Sequence, residues 1–308
     1  MNAKFAPSAL LVSLSLALFG CGDNGSNANT PNANTSADGA SVVTGELADT
    51  QEITINNAAE PESLDPHKIA GSPESNIIRQ LLVGLTSTDA DGNTVAGMAQ
   101  SWESTDNKVW TFKIRDAKWS NGDPVTAQDF VYSFRRLVDP NTASPYATYL
   151  SGLKVVNAQE IVDGKAGVET LGVRAVDDKT LEISLSEPVP YLPDTLIHTA
   201  VKPVNQKAIE QHGDKWTAPG NYVVNGAYNL KDWQVNERIV LERNTSYYDD
   251  ANTTINTVTI LAIPSEVTDV TRYKAGEIDL TADSLPSEQF KQLQAELVDQ
   301  VKIQPKLC

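Results

Sequence analysis

The chain has 308 residues, which is long enough for two ordinary domains with hydrophobic cores. It carries 40 acidic and 24 basic side chains, so its formal net charge is -16. We therefore expect no nucleic-acid partner, because phosphate groups are bound by positive charge.

The first 20 residues have the pattern of a signal peptide. Lys4 is the only charged residue ahead of a short apolar run from Ala9 to Phe19, whereas a membrane span needs roughly 20 apolar residues. Residues 21–50 consist mostly of Asn, Ser, Thr, Gly, Ala and Asp, a composition that cannot bury a core. We predict an exported protein whose folded part begins near Gln51, behind a disordered tether.

Residues 51–84 predict a strand followed by a helix. The segment EITIN favours a strand, and Ser72-Pro73 favours a helix start because proline fits the first turn of a helix. Apolar residues at 77, 78, 81 and 82 would give this helix one buried face, and Gly84 would end it.

Residues 110–140, WTFKIRDAKWSNGDPVTAQDFVYSFRRLVDP, predict a strand, a polar turn and a capped helix. Apolar and polar residues alternate over 110–114, the period of a strand with one buried face. Thr126 with Asp129 three residues later is typical of a helix N-terminus, and Pro140 would stop the helix. This physical pattern alone indicates an ordinary structural unit.

Helices and strands continue to interleave beyond Pro140. We expect a loop with aromatic residues over 141–152 and hairpins that turn at Asp177-Asp178 and near Asn236. Strands are predicted over 257–263 and 278–281. Helices are predicted over 204–211, 267–275 and 287–297. This interleaving predicts an α/β protein with mixed sheets.

Sequence patterns that mark catalytic or metal sites are missing. The three histidines, His67, His198 and His212, form no HExxH pattern and have no paired cysteine ligands, so we interpret each as a surface or core residue. A phosphate-binding loop, a dinucleotide-binding fingerprint and a nucleophile elbow are also missing. A pair of catalytic carboxylates stays open, because acidic residues are abundant. We expect a protein that is not an enzyme and that holds no metal and no cofactor.

Several longer segments carry a family resemblance. The chain resembles the peptide-type extracellular solute-binding proteins, the periplasmic oligopeptide-binding proteins of bacterial ABC importers, from about residue 51 to residue 308. The matching segments are WTFKIRDAKWSNGDPVTAQDFVYSFRRLVDPNTASPYATYL, ESLDPHKIAGSPESN, LSEPVPY, GDKWTAP, VNGAYNLKDWQVNERIVLERN and SEVTDVTRYKAGEID.

The resemblance implies an α/β fold that is periplasmic-binding-protein type II-like, with mixed sheets and three lobes. Residues 51–81 and 206–307 would form lobe I, which is discontinuous, and residues 82–205 would form lobe II. The third lobe would follow residue 308, so we expect an N-terminal fragment that lacks most of the C-terminal lobe.

The resemblance also implies a function. Family members capture short oligopeptides through the peptide backbone between closing lobes, and deliver them to the permease and ATPase complex of the inner membrane. We expect a periplasmic, substrate-binding component of an ABC peptide importer. An exported lipoprotein of the same fold that acts as a sensor, or that binds a non-peptide or cell-wall peptide ligand, is the alternative. An exported hydrolase is a third and less favoured reading.

Each of the two cysteines matches a known pattern, Cys21 that of lipoprotein processing and Cys308 that of the solute-binding family. Cys21 follows LFG and resembles the lipidated first residue of bacterial lipoproteins, although Phe19 departs from the small residue usual there. A lipid anchor in the membrane is expected, and cleavage to a soluble protein with Cys21 incidental is the alternative. Cys308 matches a cysteine that forms a disulfide with the third lobe in relatives, or it is an incidental terminal cysteine.

Seven residues match ligand-contacting positions of the family: Ala70, Gly71, Ser72, Tyr146, Ala282, Asp283 and Ser284. Side chains at 70, 72 and 282–284 differ from those of relatives, but pairing with a peptide backbone does not need them. Tyr146 would face the cleft, with ordinary packing between lobes as the alternative. We assign Trp102, Trp110 and Trp119 to core or lobe packing.

Overall fold

The computed structural model describes residues 47–303. The predicted signal peptide, most of the predicted tether, Cys21 and Cys308 lie outside the described residues. The described strands are β1 (Glu52–Asn56), β2 (Thr86–Thr88), β3 (Thr94–Ala96), β4 (Ala99–Glu103), β5 (Val109–Ile114), β6 (Val173–Asp177), β7 (Thr180–Ser184), β8 (Tyr228–Gln234), β9 (Arg238–Arg243) and β10 (Thr257–Leu261).

Short helices lie between the strands. The described α-helices are α1 (Ser72–Leu81), α2 (Ala127–Val138), α3 (Tyr149–Gly152), α4 (Ala158–Val162), α5 (Leu192–Thr195), α6 (Gln206–His212), α7 (Glu266–Lys274) and α8 (Phe290–Leu297). Helix α8 therefore begins three residues later than the sequence pattern predicts. Between residues 47 and 303, no helix combines the length and the apolar character that crossing a membrane requires.

The strands form two four-stranded sheets and a two-stranded ribbon made of β2 and β3. The first sheet has the order β1-β10-β9-β8, in which β1 is parallel to β10 and the other neighbours are antiparallel. The second sheet has the order β4-β5-β7-β6 and is antiparallel throughout. The predicted α/β class with mixed sheets is thus confirmed.

Helix α2 packs against β6 and β7 of the second sheet. Phe130 and Phe134 on α2 are fully buried, as is Phe112 on β5. Trp110 and Ile114 on β5 are also buried, so the alternation predicted from the sequence is confirmed. Aromatic side chains bury a large apolar area, so these residues help to hold the helix on the sheet.

The start of α2 follows the predicted capping pattern. One carboxylate oxygen of Asp129 accepts hydrogen bonds from the Thr126 backbone N–H at 2.7 Å and from its hydroxyl at 3.0 Å. It also lies 3.3 Å from Nε1 of Trp119, a fully buried donor. The cap therefore satisfies donors of the turn and fixes where the helix begins.

Helix α1 begins at Ser72 as predicted but ends at Leu81, before Gly84. The prediction that Gly84 ends the helix is wrong. A Cβ atom at Gly84 would lie 3.1 Å from the backbone oxygen of Leu196 and 3.3 Å from that of Thr86. Glycine at this position allows two chain segments to approach closely.

The segment IDLT, predicted as a strand, makes only a single parallel bridge to β1 through Leu280. Two backbone bonds join the segment to β1, from the Asp279 N–H to the Thr54 carbonyl oxygen and from the Asn56 N–H to the Leu280 carbonyl oxygen, and side chains take the next donors. The Asp279 carboxylate accepts from the Thr54 N–H at 2.7 Å, and the Ala282 N–H donates to the Asp269 carboxylate at 2.9 Å. A carboxylate that takes a backbone donor removes that donor from strand pairing, so the ladder stops.

Two valines on β6 test the placement of the second sheet. Val173→Ala is expected to lower the free energy of unfolding by about 2 kcal/mol, because Val173 is 2% exposed and the truncation leaves a cavity. Val176→Ala is the matched control at 49% exposure and should change the free energy by less than about 0.5 kcal/mol. Urea unfolding followed by tryptophan fluorescence measures both, and equal losses would contradict this buried face.

Candidate functional site

A buried ion pair joins the loop before α1 to helix α2. Arg136 donates to both carboxylate oxygens of Asp65, from Nη1 at 2.9 Å and from Nη2 at 2.6 Å. The Asp65 side chain is 5% exposed and that of Arg136 is 13% exposed. The Trp216 Nε1 donates to the same carboxylate at 3.3 Å. Because a bidentate pair fixes orientation as well as distance, the loop and the helix are held in one arrangement.

His67 extends this ion pair into a hydrogen-bond chain. Arg136 Nη1 lies 2.6 Å from His67 Nδ1, and a guanidinium group can only donate, so the His67 proton is on Nε2. His67 Nε2 then donates to Ser133 Oγ at 3.2 Å, and this hydroxyl donates to the Lys202 carbonyl oxygen at 2.6 Å. The chain of bonds ties together three segments that are far apart in the sequence.

The protonation states follow from burial and from the charge of Arg136. Burial alone would raise the pKa of the Asp65 carboxyl, but the hydrogen bond and charge of Arg136 outweigh burial and lower the pKa. Burial, together with the charge of Arg136, lowers the pKa of His67 to about 3. At neutral pH the network therefore contains one carboxylate, one guanidinium and one neutral imidazole.

The network anchors the loop that leads into the predicted ligand-contacting residues 70–72. His67 is fully buried, and the Tyr222 hydroxyl holds the Leu64 carbonyl oxygen at 2.7 Å. Residues 70–72 directly follow this anchored loop, and Gly71 occupies the position before the first residue of α1 with an extended backbone. The buried bonds therefore position the start of α1 and the loop before it.

The carboxyl end of β1 brings two predicted regions together. Asn57 Nδ2 donates to the Pro73 carbonyl oxygen at 3.0 Å, next to residues 70–72. The Asn56 N–H donates to the Leu280 carbonyl oxygen at 3.0 Å, just before residues 282–284. Ligands of open α/β sheets bind at the carboxyl ends of parallel strands, so this end of β1 is a candidate ligand wall.

The predicted residues at this wall differ in exposure. Ala70 and Ser72 are exposed and Gly71 is half-buried. At the neighbouring segment, Asp283 and Ser284 are exposed, whereas the Ala282 N–H is used by Asp269. The role of these residues in ligand contact stays a prediction.

Tyr146 lies in a different group of side chains. Its ring packs edge-on against His198 with 4.6 Å between ring centres, and the ring of Tyr149 stacks on the same histidine at 4.6 Å. The Tyr149 hydroxyl donates to the Thr195 carbonyl oxygen at 2.8 Å. The structure thus joins residues 70–72 to residues 282–284 through β1, and places Tyr146 beside His198.

An open cleft of about 490 Å³ lies between α7, α8 and the start of the IDLT segment, lined in part by Tyr273, Asp279 and Glu296. The cleft is lined by the first residues of the IDLT segment, whereas the predicted residues 282–284 come after the end of that segment and do not line the cleft. Within residues 47–303, no group of three or more His, Cys, Asp or Glu side chains is arranged to hold a metal ion.

Sequence reasoning missed the network of Asp65, His67, Ser133 and Arg136 and the buried position of Lys202. The first two lie in the DPHK motif that carries part of the resemblance, and this motif was the one available signal. The hydrogen-bond partners of His67 are 66 and 69 residues away in the sequence, so local sequence patterns cannot predict these contacts.

Solved structures share this fold. Haemophilus influenzae OppA in complex with RPPGFSPFR matches with a TM-score of 0.80 at 52% identity, covering 82% of this chain and 50% of that chain. The fold is therefore that of the type II periplasmic binding proteins, as predicted. Residues 93–307 match the family described as bacterial extracellular solute-binding proteins, family 5 Middle, and the chain belongs to this family.

Two curated relatives are similar over most of this chain. The periplasmic oligopeptide-binding protein OppA of Escherichia coli (strain K12) is 57% identical over 263 residues, which are 85% of this chain and 48% of the relative. The periplasmic murein peptide-binding protein MppA of the same strain is 47% identical over 262 residues, again 85% and 48%. The chain spans about half the length of these curated relatives.

Removal of one partner of the buried ion pair should be costly. Arg136→Gln is expected to lower the free energy of unfolding by about 3–5 kcal/mol, because the Asp65 carboxylate would stay buried without its countercharge. Arg174→Gln is the matched control, since Arg174 pairs with Glu182 while its side chain is 63% exposed, and it should cost less than about 1 kcal/mol. Denaturant unfolding at pH 7 compares them, and equal costs would contradict the structural role of the pair.

His67 should make the folded state sensitive to acid. The unfolded chain protonates this histidine near its ordinary pKa of 6.5, but the folded chain does so only at about 3, so unfolding takes up a proton between these values. Stability should fall as the pH decreases through this window.

Substitution of His67 tests the assignment. The difference in unfolding free energy between pH 7 and pH 4.5 should be smaller in His67→Gln than in the wild-type chain by roughly 2 kcal/mol. Glutamine can still accept from Arg136 and donate to Ser133, so the network is kept. Identical pH dependence in the two proteins would exclude His67 as the titrating group.

Proposed function

We propose that this chain is the substrate-binding component of an ABC peptide importer, and that it captures short oligopeptides through their backbone. Membership of a solute-binding family and similarity to a relative solved in complex with a peptide support this proposal. The proposal includes no catalytic activity and no cofactor.

The single observation that carries the proposal is the edge of the first sheet at Leu280. Leu280 pairs with β1 on one side and is 58% exposed, and no further strand of residues 47–303 lies beyond it. An extended peptide can add to such an edge through main-chain hydrogen bonds, which every peptide offers whatever its side chains. Residues 70–72 adjoin the same end of β1 and would flank the peptide.

The proposal also covers the lobes. Lobe I (51–81 and 206–307) would hold the first sheet, because β1 and β8 to β10 come from these residues. Lobe II (82–205) would hold the second sheet, because β4 to β7 come from them. Closure of such lobes around a peptide would exclude water from its backbone hydrogen bonds and strengthen them.

The chain would work in the periplasm and deliver peptides to the permease and ATPase complex of the inner membrane. A lipid on Cys21 would anchor it to a membrane through the tether formed by residues 21–50. Such an anchor would keep the binding protein near its permease.

A cell-wall peptide is the second candidate ligand. Its support is the 47% identity to a relative that is described as a murein peptide-binding protein. Such a ligand offers peptide groups to the same sheet edge, so the proposed backbone pairing would serve it as well.

Calorimetry with blocked trialanine tests the proposed backbone recognition. A blocked peptide has no charged ends, so backbone hydrogen bonds of modest net strength would hold it, and we expect dissociation constants in the millimolar range. The same peptide with N-methylated amides keeps its side chains but loses its donors, and its affinity should fall by roughly tenfold or more.

Two outcomes would count against the proposal. Equal affinity of the methylated and unmethylated peptides would show that backbone hydrogen bonds are not the recognition element. Absence of heat at millimolar concentrations of both would contradict binding by this chain. Tighter binding of a murein tripeptide than of tripeptides made of L-amino acids would favour the second candidate ligand.

A further inference from the structure

Two Asn-Gly pairs in the described part of the chain have opposite surroundings. Asn121-Gly122 lies in the turn between β5 and α2, and both of its residues are exposed. Asn225-Gly226 is buried, and Asn225 is only 1% exposed. An asparagine before a glycine loses ammonia more easily than other asparagines, because glycine has no side chain to hinder attack by its backbone nitrogen on the asparagine amide. The surroundings then decide which pair reacts.

Hydrogen bonds hold both residues of the buried pair. The side-chain amide of Asn225 accepts from the Val83 N–H at 3.0 Å and donates to the Val83 carbonyl oxygen at 3.1 Å. The Gly226 N–H donates to the Leu81 carbonyl oxygen at 2.8 Å. Rotation of the Asn225 side chain toward the Gly226 nitrogen would break both amide bonds in a buried setting, so this pair is protected.

The exposed pair is held less firmly. Asn121 Oδ1 accepts from the Asp123 N–H at 3.1 Å, and Asn121 Nδ2 lies 3.2 Å from the Asp123 carboxylate, both in contact with solvent. The Gly122 N–H donates to the Trp119 carbonyl oxygen at 2.8 Å, so this one turn bond must open before the nitrogen can attack. A Cβ atom at Gly122 would have nothing within 4 Å, so the turn has room to change conformation. Exposed turns open locally at a low cost in free energy.

We infer that Asn121 is a site of spontaneous modification, where the turn is slowly converted to aspartate and isoaspartate. The backbone nitrogen of Gly122 attacks Cγ of Asn121, an N–Cγ bond forms, and the side-chain amide nitrogen leaves as ammonia with the proton that the attacking nitrogen loses. Water then hydrolyses the resulting succinimide. Cleavage of the N–Cγ bond gives aspartate, and cleavage of the bond to the main-chain carbonyl carbon gives isoaspartate.

The site lies where the two proposed lobes meet. The Ser120 N–H donates to the Val224 carbonyl oxygen at 2.7 Å, and the Val224 N–H donates to Ser120 Oγ at 3.1 Å. Lys207 on α6 pairs with Asp123 at 2.9 Å. Isoaspartate adds one carbon to the main chain of this turn, and either product places a new carboxylate beside that of Asp123. Modification therefore changes the charge of a turn that joins the lobes, and isoaspartate also changes its length.

Peptide mapping by mass spectrometry tests the site on the folded 308-residue chain. The chain is incubated at mildly alkaline pH, where the attacking nitrogen loses its proton more readily. The peptide that contains Asn121 should change from the amide mass to the acid mass roughly tenfold or more faster than the peptide that contains Asn225. In urea both peptides should react at similar rates, because the unfolded chain protects neither pair.

A substitution and an internal reference control the measurement. Asn121→Gln keeps a side-chain amide but favours succinimide formation far less, so its peptide should show no mass change. A third pair, Asn24-Gly25, lies in the predicted tether, outside the described residues, and should react equally in the variant and the wild-type chain.

The comparison of the two pairs in the folded chain decides the inference. Asn121 that reacts no faster than Asn225 would overturn it, whether both react or neither does. An unchanged mass increase in the peptide of Asn121→Gln would also overturn it, because the reacting group would then be another residue.

Discussion

The buried pair of Asp65 and Arg136 is the interaction on which the candidate site depends. The pair has two well-aligned hydrogen bonds and little solvent around it, and His67 and Ser133 extend it to the carbonyl oxygen of Lys202. A buried ion pair adds little net stability compared with a hydrophobic contact, but it permits only one arrangement of its partners. Here that arrangement fixes the loop that ends at α1 and, with it, one side of the candidate ligand wall.

The other side of the wall comes from an incomplete strand. The Asp279 carboxylate takes the Thr54 N–H of β1 and the Asp269 carboxylate takes the Ala282 N–H, so the segment makes one bridge to the sheet at Leu280 and then leaves it. A complete strand would have presented a regular edge over several residues, which proteins commonly avoid because it invites aggregation. A short edge limits pairing to short extended ligands, which agrees with the proposed capture of small peptides.

Local sequence patterns correctly predicted those elements that are stabilised by contacts between residues close in the sequence. The cap formed by Thr126 and Asp129 and the turn at Asn236 depend on residues within a few positions, and both are found in the structure. The strand predicted for IDLT was wrong because carboxylates take the Thr54 N–H on β1 and the Ala282 N–H just after the segment, so the ladder does not extend beyond a single bridge. Gly84 was assigned to a helix end because glycine commonly follows a helix, and its close contact with Leu196, which is distant in the sequence, left no local signal.

The candidate site was less predictable than the fold. Family resemblance supplied residues 70–72, Tyr146 and 282–284, whereas periodicity and composition supplied none of them. The buried network was invisible because its bonds join residues that are 66 to 151 positions apart. Lys202 was missed for a different reason: lysine is among the residues least often buried, so sequence reasoning places it at the surface.

Photo-crosslinking with a tripeptide that carries a diazirine group would test the central claim most directly, because it reports where a weakly bound peptide lies. The account predicts crosslinks within residues 70–72 and 282–284 that disappear when unlabelled peptide is added in excess. Crosslinks confined to the cleft lined by Tyr273 and Glu296, or crosslinks that excess peptide does not remove, would contradict a peptide-binding wall at the carboxyl end of β1.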